Sequence, residues 1–170
     1  MKGSERGQVS SLDFVLGAVL FLVVVPFYFF ARDGLVAYSS FESEGAAFKA
    51  FRASSWLVEE SGVPVDWNAS TVVVPGLASE KNVVDAGKLS SFLSLDYENA
   101  TRLLGLGGYN FSFALRYASG SPVLVVLANG SVVPAVFGVG SAGAVFVAPV
   151  KRVVVYGGQP AVLTLVVSRT

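Results

Sequence analysis

The sequence contains no cysteine and no histidine, and only one methionine. Without cysteine the chain has no disulfide framework, no thiolate metal site and no thiol nucleophile. Without histidine it lacks the commonest general base and a common metal ligand. No metal-ligand spacing or nucleophile motif replaces them, so we expect no enzyme activity, no catalytic residues, no metal and no cofactor.

Charge is scarce and unevenly placed. Only 14% of the residues are charged, whereas about a quarter is usual in soluble domains. All twelve acids occur at or before Glu98, so residues 1–98 hold seven bases and twelve acids, and residues 99–170 hold five bases and no acid. The zero net charge gives no reason to expect a nucleic-acid partner. Because a surface with so few charges is poorly soluble by itself, we expect sugars or neighbouring subunits to cover it. The alternative is a compact domain with a Ser- and Gly-rich exterior.

An uncharged apolar run extends from Phe14 to Ala31, a few residues after a short polar leader. The run is long enough to cross the hydrocarbon core of a bilayer with slight thinning or snorkelling at its ends. A secretory signal would carry its small-residue cleavage site after the apolar region. Here the small-residue junction, at Gly7 and Gln8, lies before the run, so cleavage there would remove the leader and keep the apolar segment.

The order Gly7-Gln8-Val9-Ser10, then an acid, then an apolar segment resembles the class III signal peptide of archaeal type IV pilin-like proteins. The resemblance covers residues 1–31. It implies cleavage between Gly7 and Gln8 by a membrane prepilin peptidase and assembly of the mature chain into a filament. The family usually has its acid at the fifth mature position, whereas Asp13 would be sixth here. Cleavage after Gln8 would restore that spacing but lose the glutamine, and an uncleaved single-pass anchor is the remaining alternative.

Asp13 is the acid to which we assign a role in assembly. After removal of the leader, the new α-amino group would be a cation in a low-dielectric setting, and Asp13 of a neighbouring subunit could pair with it. The alternative is that Asp13 only caps the start of the helix.

The predicted fold class is α+β, with a long N-terminal hydrophobic helix followed by a mostly antiparallel β head, as in pilins. We divide the chain into a leader (1–7), an N-terminal helix (8–61) and an extracellular β-rich head (62–170). The helix has a membrane or filament-core segment at 14–31 and an amphipathic continuation at 35–60. One helical stripe in that continuation is apolar and is expected to pack in the core. Its residues are Ala37, Phe41, Phe48, Phe51 and Val58.

Several patterns predict the elements of the head. Two short helical turns are expected at 85–95 and 97–104. Alternation between 109 and 117 predicts a half-buried strand, and Asn129-Gly130 predicts a two-residue hairpin between strands at 123–127 and 132–137. Further strands are expected at 144–147, 152–156 and 161–168, with the first two separated by Pro149.

Four of the five asparagines begin an N-x-S/T triplet, namely Asn68, Asn99, Asn110 and Asn129. Random placement of the 24 serines and threonines would give about 0.7 such triplets. The triplets predict N-glycosylation of an extracellular head, and the alternative is that asparagine and serine occur together because both favour turns.

The sequence therefore predicts a structural subunit of an archaeal type IV pilus-like filament, held at the membrane with an extracellular head and then assembled at the cell surface. The expected partners are copies of itself or related pilins, the prepilin peptidase, the pilus assembly machinery and, before assembly, the membrane. The alternative is a monomeric, membrane-anchored extracellular binding domain.

Overall fold

The computed structural model describes the backbone of residues 5–170 and the side chains of residues 13–29 and 44–170. The chain divides between Glu42 and Ser43 into two compact units, which we treat separately. Helix α1 is assigned to Glu5–Glu59. The second unit contains the end of α1, the helices α2 (Ala86–Leu93) and α3 (Tyr97–Leu103), and all the strands. The strands are β1 (Ala78–Glu80), β2 (Val83–Val84), β3 (Asn110–Tyr117), β4 (Leu124–Val126), β5 (Val132–Pro134), β6 (Val136–Gly138), β7 (Phe146–Tyr156) and β8 (Gln159–Arg169).

Six of these strands form one mixed sheet in the order β1-β2-β7-β8-β3-β6. Its centre is β8, which pairs antiparallel with β7 along Phe146–Tyr156 and with β3 along Asn110–Tyr117. The short β2 pairs with β7 in parallel, at Val155 and Tyr156 only. Strands β4 and β5 form a separate two-stranded hairpin.

The expected fold class is wrong. The predicted fold was a long N-terminal hydrophobic helix followed by a mostly antiparallel β head. Where side chains are described, no helix contains a segment that is both long enough and apolar enough to cross a membrane. Residues 30–31 of the expected apolar segment lie outside those side chains. The sheet is mixed because β2 joins β7 in parallel across a long sequence separation, which local patterns do not reveal.

The inner face of the sheet forms the core. Side chains from β3 and β8 that point to this face are fully buried, including Phe111, Phe113, Leu163 and Leu165. Opposite residues of two paired strands lie on the same face, and the register pairs Phe111 with Val167 and Phe113 with Leu165. The alternation expected at 109–117 is confirmed. Helix α2 contributes Phe92, whose ring makes edge contacts with Phe113 and Phe137 at centroid distances of 5.3 and 5.4 Å.

The two short helices are also confirmed. Asp85 caps α2 by accepting a hydrogen bond from the Lys88 backbone N–H, and Asp96 caps α3 by accepting from the backbone N–H groups of Glu98 and Asn99. The two carboxylates accept hydrogen bonds from backbone N–H groups of the first helical turn, which have no carbonyl partner within the helix.

The C-terminal part of α1 packs in the core, but the helix face that it buries is not the apolar stripe predicted from the sequence. The buried apolar positions are Ala46, Ala50, Ala53, Leu57 and Val58, spaced at helical intervals. Of the predicted stripe, only Val58 is buried. Phe48 and Phe51 are 67% and 55% exposed, and Ala37 and Phe41 lie outside the described side chains. Alanine allows a close approach of helix and sheet that phenylalanine would prevent.

Arg152 joins this helix to β7 from the inner face of the sheet. Its Nε donates to the Ser54 hydroxyl at 3.2 Å, and its Nη2 donates to the Ser55 hydroxyl and to the Phe51 carbonyl at 3.5 Å. The guanidinium also lies 4.3 Å from the centroid of the Phe51 ring. The Arg152 side chain thus contacts several groups of α1 that are about a hundred residues away in sequence. These contacts hold the end of α1 in position against β7.

Two strand predictions need correction. The expected break at Pro149 is absent, because β7 runs continuously through it. At that position β7 has a hydrogen-bonded partner only on the β8 side, since β2 reaches only Val155 and Tyr156, so a proline without an N–H is tolerated. The hairpin at Asn129 has a three-residue loop, closed by a hydrogen bond from the Leu127 N–H to the Ser131 carbonyl, with Gly130 at φ +82°.

Trp67 closes the loop that follows α1. It is buried, and its indole N–H donates to the Ser61 and Gly76 carbonyls at 3.1 and 2.9 Å. Gly76 lies so close to this turn that an added Cβ would stand 2.3 Å from the Glu60 carbonyl oxygen and 2.4 Å from the Gly62 nitrogen. The end of α1 therefore depends on a glycine at position 76.

We predict that Gly76→Ala lowers the free energy of unfolding by about 2–4 kcal/mol, because the methyl group meets backbone atoms that cannot move independently. Urea unfolding of the purified full chain in detergent, followed by tryptophan fluorescence, measures the change. Gly107→Ala is the matched control: an added Cβ there has no neighbour within 4 Å, so a shift of no more than about 0.5 kcal/mol is expected. Equal stability of the two variants would contradict the assignment.

Candidate functional site

The described part of the first unit is an exposed apolar surface. Between residues 14 and 29, twelve large apolar side chains are each more than half exposed, and Phe14 is 77% exposed. Folded monomers rarely leave so many apolar side chains uncovered in one place, and such surfaces mark contacts with proteins or membranes. We call residues 14–29 the apolar segment.

Asp13 lies at the start of the apolar segment, and its side chain is exposed. The carboxylate makes no hydrogen bond or ion pair with any residue whose side chain is described. It is therefore accessible to a cation from another chain. The predicted cleavage pair, Gly7 and Gln8, lies outside the described side chains, so the cleavage site stays a prediction.

Two of the candidate glycosylation sites are exposed turns with the same internal contacts. The Asn68 side-chain oxygen accepts hydrogen bonds from the Ser70 N–H at 2.9 Å and the Ser70 hydroxyl at 2.7 Å. The Asn129 side-chain oxygen accepts from the Ser131 N–H at 3.0 Å and the Ser131 hydroxyl at 2.6 Å. In each triplet the hydroxyl contacts the carboxamide to which a sugar would be joined. The same contacts stabilise the turn, so they also fit the alternative of turn chemistry.

The other two candidate sites differ in setting. Asn99 is exposed on α3, and its side-chain oxygen accepts a hydrogen bond from Arg102 at 2.8 Å. Asn110 is half-buried at the start of β3, opposite Ser168 of β8. The side-chain nitrogens of all four asparagines make no hydrogen bond to any described residue. Asn68, Asn99 and Asn129 therefore have room for a sugar, and Asn110 has the least room.

An open pocket of about 680 Å³ lies beside Asn110, between α3, β3 and α1. Its walls include Lys49, Arg102 and Tyr97, together with the glycine-rich turn at 105–108. The Lys49 ammonium lies 4.5 Å from the centroid of the Tyr109 ring, which is also in the wall. Sequence reasoning missed this pocket, because its residues come from three separate segments of the chain and only the glycine cluster marks it in the sequence.

Tyr156 is the group with a shifted pKa in the described part of the chain. Burial raises the pKa of its phenol above the usual value of 10.0, and the neighbouring Tyr117 and Asp85 add to the rise. The phenol therefore stays neutral at physiological pH, and its nucleophilic phenolate form is populated even less than in an ordinary tyrosine. Nor do the described residues include a group of three acids close enough to hold a metal ion.

Comparison with known proteins gave no match: no family model, no curated protein and no solved structure is similar to this chain. The candidate sites are consequently the apolar segment with Asp13, the four asparagines and the pocket, each argued from its own geometry.

We predict glycosylation at two or more of Asn68, Asn99, Asn110 and Asn129 in native material. Occupancy should be lowest at Asn110, because its side chain is half-buried and begins a paired strand. Glycopeptide mass spectrometry of protein from its own cells measures each site. Four unmodified asparagines would assign the triplets to turn chemistry.

Proposed function

We propose that the protein is a structural subunit of an extracellular filament of the archaeal type IV pilus-like kind, and not an enzyme. The observation that carries the proposal is the exposed apolar segment, which needs a partner surface once it leaves a membrane. Copies of the same segment are the proposed partner, because each offers a matching uncharged surface of similar length. The resemblance of residues 1–31 to class III signal peptides supports the same function.

The strength of such a contact is sufficient for assembly. Burial of apolar surface contributes about 25 cal/mol per Å², so several hundred Å² per subunit is worth on the order of 10 kcal/mol before the entropy costs of association. In a filament each subunit meets several neighbours, and these contributions accumulate.

In the proposed assembly the prepilin peptidase cuts between Gly7 and Gln8 and creates a new α-amino group. The exposed carboxylate of Asp13 pairs with that amine in a neighbouring subunit and sets the register between them. An unpaired charge surrounded by apolar side chains would cost several kcal/mol, so a misregistered subunit would be rejected. Before assembly the chain is held at the membrane with its second unit outside the cell, where the asparagines carry sugars.

A second candidate function is a monomeric, membrane-anchored binding domain. The pocket beside Lys49, Arg102 and Tyr97 favours it, because its volume is that of a small-molecule site and its wall supplies cationic and aromatic groups. The two functions differ in one observable, the presence of this protein in filaments sheared from the cell surface.

We predict that Val23→Asp abolishes filaments, because a carboxylate in the middle of the apolar segment cannot be buried against its copies without a partner. Electron microscopy and immunoblotting of sheared surface material measure the loss. The matched control, Val23→Leu, keeps the apolar character and should assemble as the parent does. If the parent protein never occurs in sheared material and fractionates only as a membrane-bound monomer, the anchored binding domain is the better account.

We predict that the native protein begins at Gln8. Intact-mass measurement should show the loss of seven residues, and the unprocessed chain should persist in cells without prepilin peptidase activity. Asp13→Ala separates processing from assembly: this variant should be cut normally but enter filaments poorly, because the new amine has lost its counter-ion. A native protein that starts at Met1 in cells with an active peptidase would contradict the proposal.

A further inference from the structure

On strands β7, β8, β3 and β6 of the six-stranded sheet, the outer face is an apolar surface that no described residue covers. Side chains of Val136, Val153 and Val155 point to this face and are 51%, 75% and 38% exposed. The register places Arg116 in one cross-strand row with Val162 and Val153, and Ala114 in the next row with Thr164 and Lys151. We call this surface, with its cations Arg116 and Lys151, the valine face.

No acid lies on the strands that build the valine face. Residues 99–170 contain none, and both Arg116 and Lys151 are exposed and make no ion pair with any described residue. The helices cover the opposite, inner face, as the core contacts of Ala50, Leu57 and Phe92 show. The valine face therefore presents an apolar centre with a positively charged margin.

A second exposed apolar surface, on the loop after α1, has the opposite charge. Val63, Val65 and Val73 are 54%, 71% and 63% exposed, and Glu60 and Asp66 are exposed beside them in the chain. We call these five residues the valine loop. Val63 and Val74 form a backbone bridge, and the buried Trp67 holds the loop to the carbonyls of Ser61 and Gly76. The loop is therefore ordered before it meets a partner, which reduces the entropy cost of binding.

We propose that the valine face of one copy binds the valine loop of the next copy, through apolar contact at the centre and ion pairs at the margin. Arg116 and Lys151 of one copy meet Glu60 and Asp66 of its neighbour. The partner is a second copy of this chain because the chain itself supplies both complementary surfaces, each uncovered in the described residues. The inference rests on the proposed function, since it adds a head-to-head contact to an assembly made through the apolar segment.

The contact joins two different surfaces, so it is heterologous. A heterologous contact repeats from subunit to subunit and leads to an open filament unless its rotation closes a ring. It also explains why acids and bases are separated along the chain. A positively charged face and a negatively charged loop attract each other, whereas two faces or two loops repel each other.

The test uses the full chain in detergent micelles, which shelter the apolar segment, with sedimentation velocity at low and high salt. The parent should self-associate, more weakly at high salt because exposed ion pairs are screened. A chain with Arg116→Glu and Lys151→Glu should lose association by about tenfold or more, and so should a chain with Glu60→Lys and Asp66→Lys. Arg52→Glu, a single charge reversal at an exposed position on α1, is the control and should associate as the parent does.

The decisive measurement is a mixture of the two charge-reversed chains. Each should remain monomeric alone, because its face and loop then carry the same sign. Together they should associate as tightly as the parent, since each face meets a loop of opposite charge. Circular dichroism must show that both variants are folded. A parent that stays monomeric at all concentrations, or a mixture that does not associate, would overturn the proposal.

Failure of this contact and failure of the filament function give different results. In micelles the contact does not involve the apolar segment, so Val23→Asp should associate as the parent does even though it forms no filaments. If the chain with Arg116→Glu and Lys151→Glu assembles on cells as the parent does, the valine contact is wrong and the filament function remains. If the micelle association holds while the protein is absent from sheared filaments, the filament function is wrong.

Discussion

The close packing of an alanine face of α1 on the inner face of the sheet is the constraint on which the second unit depends. Ala46, Ala50 and Ala53 are fully buried in the core cluster that also contains the inner side chains of β3 and β8. Arg152 then fixes the helix by its contacts with Ser54 and Ser55. With this layer in place, the fully buried phenylalanines of β3 form a single core, and no described element of the second unit covers the outer face of the sheet.

The helices cover only the inner face of the sheet, and this arrangement connects the fold with the proposed function. A sheet with helices on one face keeps its other face available, and here strands β7, β8, β3 and β6 present valines with two cations and no acid on that face. The apolar segment is a second uncovered surface, and the exposed asparagines are sites where sugars would mask the remainder. For a chain with so little charge, sugars and neighbouring subunits are the proposed means of staying soluble.

Local patterns predicted the elements whose signals are short-range. The carboxylate caps Asp85 and Asp96 start helices where the sequence indicates them, and the alternation around Phe111 identifies a half-buried strand. The errors arose where a residue's role depends on a distant neighbour. Phe51 reads as a core residue, but it is 55% exposed, and Arg152, about a hundred residues away, stacks against its ring. Pro149 reads as a break, but β7 has no hydrogen-bonded partner on its other side there.

The sequence by itself determined the chemistry that is possible: no thiol or imidazole chemistry, acids confined to residues 1–98, an apolar run after Gly7-Gln8, and four N-x-S/T triplets. These are properties of composition and order, which folding does not alter. Only the tertiary structure decided which apolar side chains are buried, that β2 joins β7 in parallel, and that a pocket forms beside Asn110. Each of these depends on contacts between distant segments, and local sequence patterns contain no information about which distant segments meet.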